Sequence, residues 1–288
     1  MAGVRQGMTT RILTIDGGGV LGSIPAQLLS MVDLSGVDVV GGTSVGAGVC
    51  ALVASRKTGS LLTEGFSELA HGVFRNRFFR RVNPFLTSYA GEDLEETLDS
   101  LFNFPISDLP IPFYATSLRL TEDPHPKVFD RTDDWTLSQV CRASMSAPTY
   151  FPPYKRDGVK WVDGGLWCNN PSVVTCWAVH REGIPYSDIR LFSMGTGRPF
   201  PRKVQGASSW SKFGWGLYLI PYLTQGNVIG STFGSFQLGL QYCERFEGPL
   251  RDPSWGLDSV DKIGEMQRAA AMMEEDFKRR WEEFMEDN

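Results

Sequence analysis

The sequence is poor in the residues that build metal centres and disulfide frameworks. Its 288 residues include three histidines and five cysteines, and the cysteines are scattered without the spacing of a zinc site. Dispersed cysteines in odd number are typical of a reducing compartment, which predicts a cytoplasmic protein. No apolar run resembles a signal peptide or approaches the length of a membrane span.

The sequence also has fewer basic than acidic residues. The chain has 28 basic and 33 acidic residues and a net charge of −5, so nothing indicates nucleic acid as a partner. Strand-like runs alternate with helical patterns, and the length suits one large domain, which predicts an α/β fold. The predicted strands are residues 11–15, 37–40, 113–118, 128–129, 159–162 and 189–193. The predicted helices are residues 24–32, 44–54, 92–102, 137–143 and 172–180.

A serine between two glycines follows the apolar run at residues 37–40. Gly42, Ser44 and Gly46 have the G-x-S-x-G spacing of a nucleophile elbow, where a strand turns sharply into a helix and exposes the serine Oγ. At the N-terminus of that helix, unpaired N–H groups favour a developing anion. We therefore predict that Ser44 is a nucleophile. The alternative is a chance match in a glycine-rich loop.

A second glycine-rich segment follows the first predicted strand. Gly17, Gly18 and Gly19 stand between this strand and a helical pattern, an order that presents backbone N–H groups to an anion. Beside an exposed serine, the three glycines predict an oxyanion hole. The loop also matches the dinucleotide fingerprint G-x-G-x-x-G. That alternative requires an acidic residue at the end of the next strand, whereas Asp38 lies inside the predicted strand.

A serine nucleophile needs a general base, and no histidine is well placed to be one. His125 lies in a predicted turn, and His180 lies where a predicted helix ends. Asp163 follows the predicted strand 159–162 and precedes two glycines, which permit close backbone approach. A carboxylate can act directly as the base if desolvation raises its pKa. Two alternatives remain, an ordinary Asp-Gly turn and a triad in the chain order Ser44, Asp163, His180.

Taken together, these motifs resemble those of the patatin-like phospholipases. The glycine loop at 16–19, the serine motif at 42–46 and the Asp-Gly-Gly turn at 163–165 occur here in that family's order. Residues 143–153, 169–171 and 193–197 are similar to further segments of the family. The resemblance extends from about residue 11 to residue 198. One departure is Leu21, because the family usually carries Arg or Lys at that position of the loop.

The resemblance implies both a fold and a reaction. The fold is a three-layer α/β sandwich with a central, mostly parallel sheet. The reaction is hydrolysis of acyl esters of phospholipids, with Ser44 as nucleophile, Asp163 as base, Gly17, Gly18 and Gly19 around the oxyanion, and no metal or cofactor. Leu21 then bears on rate or headgroup preference. Because fold does not fix function, a non-catalytic lipid-binding or storage protein is the alternative.

Two segments outside these motifs indicate peripheral contact with a membrane. Residues 74–81 combine four arginines with three phenylalanines, a composition that suits an anionic lipid surface. Residues 210–222 are rich in aromatic and aliphatic side chains and contain one charged residue, Lys212. The alternatives are a solvated cap for the first segment, and an acyl tunnel wall or a buried partner face for the second.

The division of the chain is predicted from its prolines and its C-terminal periodicity. A catalytic domain is expected over residues 8–200, with Pro199 and Pro201 marking its end. Residues 201–288 are expected to pack on the same domain. Within them, apolar residues recur every three or four positions over 257–285, which predicts one amphipathic helix. That helix packs on the domain or, as the alternative, mediates a homo-oligomer.

Overall fold

The computed structural model describes residues 9–75, 87–197 and 212–286, and for residues 212–221 it describes the backbone alone. Within this part of the chain, eight strands form one mixed sheet. The strands are β1 (Thr10–Ile15), β2 (Val39–Thr43), β3 (Phe113–Leu120), β4 (His125–Phe129), β5 (Tyr154–Arg156), β6 (Val159–Asp163), β7 (Ile189–Met194) and β8 (Tyr242–Phe246).

The sheet is mostly parallel, and its antiparallel strands lie at one side. The order is β5-β6-β3-β2-β1-β7-β8, and β4 pairs with β3 outside this path. Strands β3, β2, β1, β7 and β8 run parallel, whereas β4 and β6 are antiparallel to β3, and β5 is antiparallel to β6. The parallel strands β1 and β7 are almost wholly buried, as expected for strands covered on both faces.

Helices cover both faces of the sheet. Neighbouring residues of β1 show this directly, since Ile12 packs in one apolar cluster with Val179, and Leu13 packs in another with Val49. The described helices are α1 (Ser23–Leu29), α2 (Val45–Ala54), α3 (Ser60–Val73), α4 (Gly91–Phe102), α5 (Leu137–Ser144), α6 (Ser172–Arg181), α7 (Lys212–Phe236), α8 (Ile263–Ala271) and α9 (Glu274–Met285). The predicted three-layer α/β sandwich with a mostly parallel sheet is therefore confirmed.

The prediction of one continuous helix over residues 257–285 is wrong. The segment begins with irregular turns, and its helical part is interrupted between α8 and α9 at Met272 and Met273. The interruption has a packing reason. Helix α8 lies against α1, whereas α9 lies against β7 and β8, and one straight helix would not bury its apolar side chains at both places.

Two further features of the C-terminal segment were not predicted. Strand β8 pairs in parallel with β7, so this segment extends the central sheet. Helix α7 lies beside α6 and β8. None of the helices that the structure describes is both long enough and apolar enough to cross a membrane. Residues 76–81 of the arginine–phenylalanine segment lie outside the described residues, as do 210 and 211, so the predictions made there stay predictions.

Candidate active site

The register of β3 brings Ser44 and Asp163 together. Strand β2 pairs with the first half of β3 and ends at Thr43, which lies opposite Thr116. Strand β6 pairs with the second half, and Asp163 lies opposite Ser117. Because β4 occupies the other edge of β3 across both halves, β2 and β6 meet end to end on one side. Two residues far apart in sequence thus become neighbours.

The backbone at Ser44 has the geometry of a nucleophile elbow. Its φ of 54° and ψ of −129° lie in a region that non-glycine residues rarely adopt, and α2 begins at the next residue. The Ser44 N–H donates to the Ser144 Oγ at 2.9 Å, which holds the turn in place. A Cβ at Gly46 would lie 2.2 Å from the Ile15 carbonyl oxygen, so this glycine is a steric requirement.

Asp163 is a buried carboxylate in contact with Ser44. Its side chain is 6% exposed. Burial raises the pKa of Asp163 from 3.8 to about 6, against the opposing effect of hydrogen bonds from the Ser44 hydroxyl and the Gly165 N–H. The Gly165 N–H lies 2.7 Å from the carboxylate. At neutral pH this group is therefore mainly ionised, yet it is a stronger base than an exposed aspartate.

The glycine loop lies against Ser44. A Cβ at Gly17 would lie 3.1 Å from the Ser44 Cβ. The Gly17 N–H, however, donates to the Asn169 carbonyl oxygen at 3.1 Å, so it is already occupied. Within the described part of the chain, the N–H groups of Gly18 and Gly19 donate to no backbone acceptor. These two N–H groups are the available donors of the predicted oxyanion hole.

Two arginines of the C-terminal segment stabilise this loop through hydrogen bonds to Asp16 and Thr196. Arg245 donates to both carboxylate oxygens of Asp16, at 2.9 and 2.6 Å, and both side chains are buried. Burial opposes the charge of Arg245, but the Asp16 carboxylate outweighs it and raises the pKa of the guanidinium. Arg251 donates to the Thr196 Oγ1 at 2.9 Å, and the Thr196 hydroxyl in turn donates to the Gly17 carbonyl oxygen at 3.3 Å.

Leu21 occupies the position where a basic residue was expected. Its side chain is buried and contributes to the wall of the cavity described next. The charge near the loop therefore comes from outside the loop itself, in the form of Arg245 and Arg251.

A cavity of about 700 Å³ opens above Ser44 and Asp163. Its polar end holds the glycine loop and the two candidate catalytic residues. The rest of its wall is mainly apolar, with contributions from α3, from the segment after α5 and from α7. Representative wall residues are Phe66, Leu69, Val73, Met145, Phe151 and Val228. An apolar cleft with a few convergent polar groups is suited to an acyl chain that carries one ester bond.

None of the three histidines lines this cavity. His71 Nδ1 lies 2.8 Å from the Ser67 carbonyl oxygen on α3. His125 begins β4 instead of lying in a turn, and it contacts the Asp123 carbonyl. His180 lies 2.9 Å from the Ile184 carbonyl oxygen and stacks on Tyr186. The geometry therefore offers no histidine base to Ser44.

Asp38 does not have the position that a dinucleotide site requires. It immediately precedes β2, and its carboxylate accepts the Arg11 N–H at 2.8 Å. It thus lies at the opposite end of β2 from Ser44 and the glycine loop. A ribose-binding carboxylate belongs at the C-terminal end of that strand.

Several residues of the site were missed by sequence reasoning. Helix α3 supplies one wall of the cavity, and its apolar spacing at Leu62, Phe66, Leu69 and Val73 is a signal that could have identified it. Ser144 and Asn169 lie in segments 143–153 and 169–171, which were noted for their resemblance to the family, but no role was predicted for either residue. Arg245 and Arg251 carry no comparable signal. Each acts through a contact between segments that are distant in sequence.

The patatin-like phospholipase family model matches residues 13–174 of the chain. The patatin-like phospholipase domain-containing protein 7 of Mus musculus is 29% identical over 169 residues, which cover 56% of this chain and 12% of that protein. The cGAMP-activated phospholipase of Vibrio cholerae is 26% identical over 252 residues, which cover 72% of this chain and 70% of that protein. The chain thus spans only a small part of the mouse relative.

Solved structures are similar at a lower level. VipD from Legionella pneumophila aligns with 93% of this chain and 70% of its own, with a TM-score of 0.47 and 11% identity. The type III effector ExoU aligns with 94% of this chain and 53% of its own, with a TM-score of 0.45 and 12% identity. The family model covers the second half of β1, the whole of β2 and the loops that follow them, together with Asp163. The chain belongs to the patatin-like phospholipase family.

Proposed function

We propose that this chain is a serine lipid acyl hydrolase that cleaves acyl esters of phospholipids through a dyad of Ser44 and Asp163. One observation carries the proposal. A serine in a rare backbone conformation hydrogen-bonds a buried carboxylate of raised pKa at the polar end of an apolar cavity. A protein that only binds or stores lipid has no need of this strained arrangement. Both curated relatives carry the word phospholipase in their names.

The first half of the reaction forms an acyl-enzyme. Asp163 accepts the proton of the Ser44 hydroxyl as Oγ attacks the ester carbonyl carbon. Negative charge then develops on the carbonyl oxygen, and the N–H groups of Gly18 and Gly19 stabilise it. Protonated Asp163 returns the proton to the departing alkoxide, so that a lysolipid or another alcohol leaves and the acyl group remains on Ser44.

The second half restores the enzyme. Asp163, again ionised, takes a proton from a water molecule that attacks the acyl carbonyl, and the same N–H groups stabilise the second oxyanion. The Ser44 oxygen leaves and regains the proton from Asp163, which releases a fatty acid. A pKa of about 6 suits both roles, because the group is ionised at neutral pH and still accepts a proton readily.

Gly17 has a supporting part in this scheme. Its own N–H is bonded to Asn169, and its carbonyl accepts from the Thr196 hydroxyl and the Asn169 amide, each at 3.3 Å. It therefore fixes the loop in the conformation from which Gly18 and Gly19 donate. The predicted cytoplasmic location and the homo-oligomer stay predictions.

Replacement of the nucleophile tests the proposal. Ser44→Ala should lower hydrolysis of a short-chain soluble ester and of phosphatidylcholine by about 10⁴-fold or more, and it should abolish labelling by a fluorophosphonate. Asp163→Asn should be comparably inactive, because it keeps the shape and removes the base. Activities are measured by titration of released fatty acid, and circular dichroism verifies that each variant is folded.

The histidines provide matched controls. His71→Ala, His125→Ala and His180→Ala should each stay within about tenfold of the wild type, since none transfers a proton in the scheme. An inactive histidine variant that folds normally would replace the dyad with a triad. Full turnover by Ser44→Ala would contradict the hydrolase mechanism, and a wild type that binds lipid without hydrolysing it would favour the storage alternative.

A further inference from the structure

The outer face of α7 is apolar and uncharged along the length for which side chains are described. Tyr222, Leu223, Ile229, Phe233 and Phe236 are all at least two-fifths exposed, and Ile229 and Phe233 reach 61% and 69%. They lie on one side of the helix, together with Gly226 and Gly230. At 1.5 Å per residue, this face is about 21 Å long. We call these five apolar residues the α7 face.

The opposite side of the same helix is held firmly against the candidate active site. Asn227 accepts the Asn169 N–H at 2.8 Å and donates to the Trp167 carbonyl oxygen. Thr232 accepts from the Asn170 amide at 3.0 Å. These bonds join α7 to the loop that follows Asp163. They fix which side of the helix points outward, so the exposure of the α7 face does not come from a loosely placed helix.

The α7 face is continuous with the mouth of the catalytic cavity. Tyr222 belongs to both, since it is 42% exposed and also lines the cavity. Two other cavity residues, Leu166 and Leu257, are exposed apolar side chains as well. Leu166 lies in the short helical turn after Asp163, which contacts α7. An apolar surface thus extends from the entrance of the cavity along the helix.

The charge pattern decides what kind of surface fits this face. Residues 213–243 contain no acidic or basic side chain. Proteins normally bind an anionic membrane through Lys and Arg side chains near the apolar contact, and salt screens the attraction of these side chains to the lipid. A specific protein partner usually meets a face with polar groups at its rim. A face of aliphatic, aromatic and glycine residues suits the interface of a neutral lipid layer, where apolar area supplies the affinity.

We infer that the α7 face docks the protein onto a zwitterionic or neutral lipid surface and thereby places the cavity mouth against its substrate. The inference rests on the proposed lipid hydrolase function. Binding of this face to such a surface depends neither on anionic lipid nor on low salt. A second copy of the chain on the same face would cover the entrance of the cavity, which argues for lipid as the occupant.

The test measures binding separately from hydrolysis. In a Ser44→Ala background, which leaves the vesicles intact, the protein should float with phosphatidylcholine vesicles equally well at low and high salt. Adding Leu223→Gln, Ile229→Gln and Phe233→Gln should weaken this binding about a thousandfold or more, since burial of each side chain contributes at least a factor of about ten. The same three changes in the wild-type background should leave hydrolysis of a soluble short-chain ester within about twofold.

A control pair removes exposed apolar side chains elsewhere. Leu61→Gln with Met272→Gln, at residues that are 53% and 89% exposed, should bind vesicles like the parent. Unchanged binding by the triple variant, or binding that requires anionic lipid and vanishes in salt, would overturn the inference. The inference would also be overturned if light scattering without vesicles showed a dimeric wild type and a monomeric triple variant, because the α7 face would then be a dimer interface. The proposed function fails on a different result, namely ester turnover that survives Ser44→Ala.

Discussion

At the scale of single residues, burial gives Asp163 its acid–base properties. The strand register places Asp163 beside Ser44 with 6% of the residue exposed, and the loss of solvent raises its pKa to about 6. The two hydrogen bonds that it accepts, from Ser44 and Gly165, act in the opposite direction. The raised pKa has consequences for rate and for stability that can be measured independently.

The rate of ester hydrolysis should fall as the pH is lowered through about 6, because protonated Asp163 cannot act as a base. The contribution of Asp163 to the free energy of unfolding should instead increase as the pH is lowered. Between pH 3.8 and 6 the folded protein holds a proton that the unfolded chain releases, so the contribution of this group to stability decreases as pH rises through that window. Above about pH 6, the ionised Asp163 carboxylate lowers the free energy of unfolding by about 3 kcal/mol relative to its protonated form.

Asp163→Asn should therefore raise the free energy of unfolding by about 3 kcal/mol at neutral pH, and the gain should shrink towards pH 4. Urea unfolding of the two proteins across this range measures the difference. Exposed Asp134 provides the control, since Asp134→Asn should not change stability by more than about 0.5 kcal/mol. A variant that is less stable than the wild type at every pH would show that the carboxylate is held mainly by its hydrogen bonds.

At the scale of elements, helix α7 supports the loop between Asp163 and α6. The loop has few regular backbone partners, and the side chain of Asn227 satisfies one of its N–H groups and one of its carbonyl groups. The same loop accepts the Gly17 N–H through Asn169. The position of the glycine loop therefore depends on a helix that lies outside the matched family region, residues 13–174.

Asn227→Ala should lower the free energy of unfolding by about 1–3 kcal/mol, because two part-buried hydrogen bonds to the backbone are lost and each contributes about 0.5–1.5 kcal/mol. It should also reduce kcat for a soluble ester more than it changes KM, since the glycine loop loses support. Gln237→Ala, at an exposed site near the end of the helix, should leave both quantities unchanged. If Asn227→Ala proved as stable and active as Gln237→Ala, α7 would not be needed to hold the loop.

At the scale of the whole molecule, the C-terminal helix belongs to the core. Phe277, Trp281 and Phe284 of α9 surround Phe192 of β7, with ring centroids 5.2 to 5.8 Å apart. The buried Arg190 side chain donates to the carbonyl oxygens of Phe284 and Glu283. The apolar side of α9 is thus covered by its own chain. The predicted catalytic domain of residues 8–200 leaves this aromatic cluster incomplete.

Phe277→Ala should destabilise the protein by about 3–5 kcal/mol, the usual cost of removing a fully buried phenylalanine. Thermal and urea unfolding measure the change. Met272→Ala, at a residue that is 89% exposed, should stay within about 0.5 kcal/mol of the wild type. A Phe277→Ala variant of normal stability that changed from dimer to monomer would instead support the homo-oligomer alternative.

Local signals predicted the elements that carry their own periodicity or glycine pattern. The strands before the glycine loop and before Ser44 were identified because each ends in glycines that the following turn requires, and the structure places both loops at one end of the sheet. Strand β8 and helix α7 were missed. Strand β8 is only partly buried and carries charged residues, so its sequence does not alternate clearly between apolar and polar. Helix α7 is continuous, but several glycines lie among its apolar residues, so its sequence lacks a clear helical period.

By itself, the sequence determined the strand–loop–helix units at Gly17 and Ser44, the turn after Asp163 and the family, because each of these depends on residues that are adjacent in the chain. The tertiary structure alone decided that β2 and β6 meet on one edge of β3, that the Gly17 N–H is already bonded, and that Arg245 neutralises Asp16. These outcomes depend on contacts across long sequence separations. A pKa set by burial belongs to the same class, because the solvent around a side chain is excluded by residues from elsewhere in the chain.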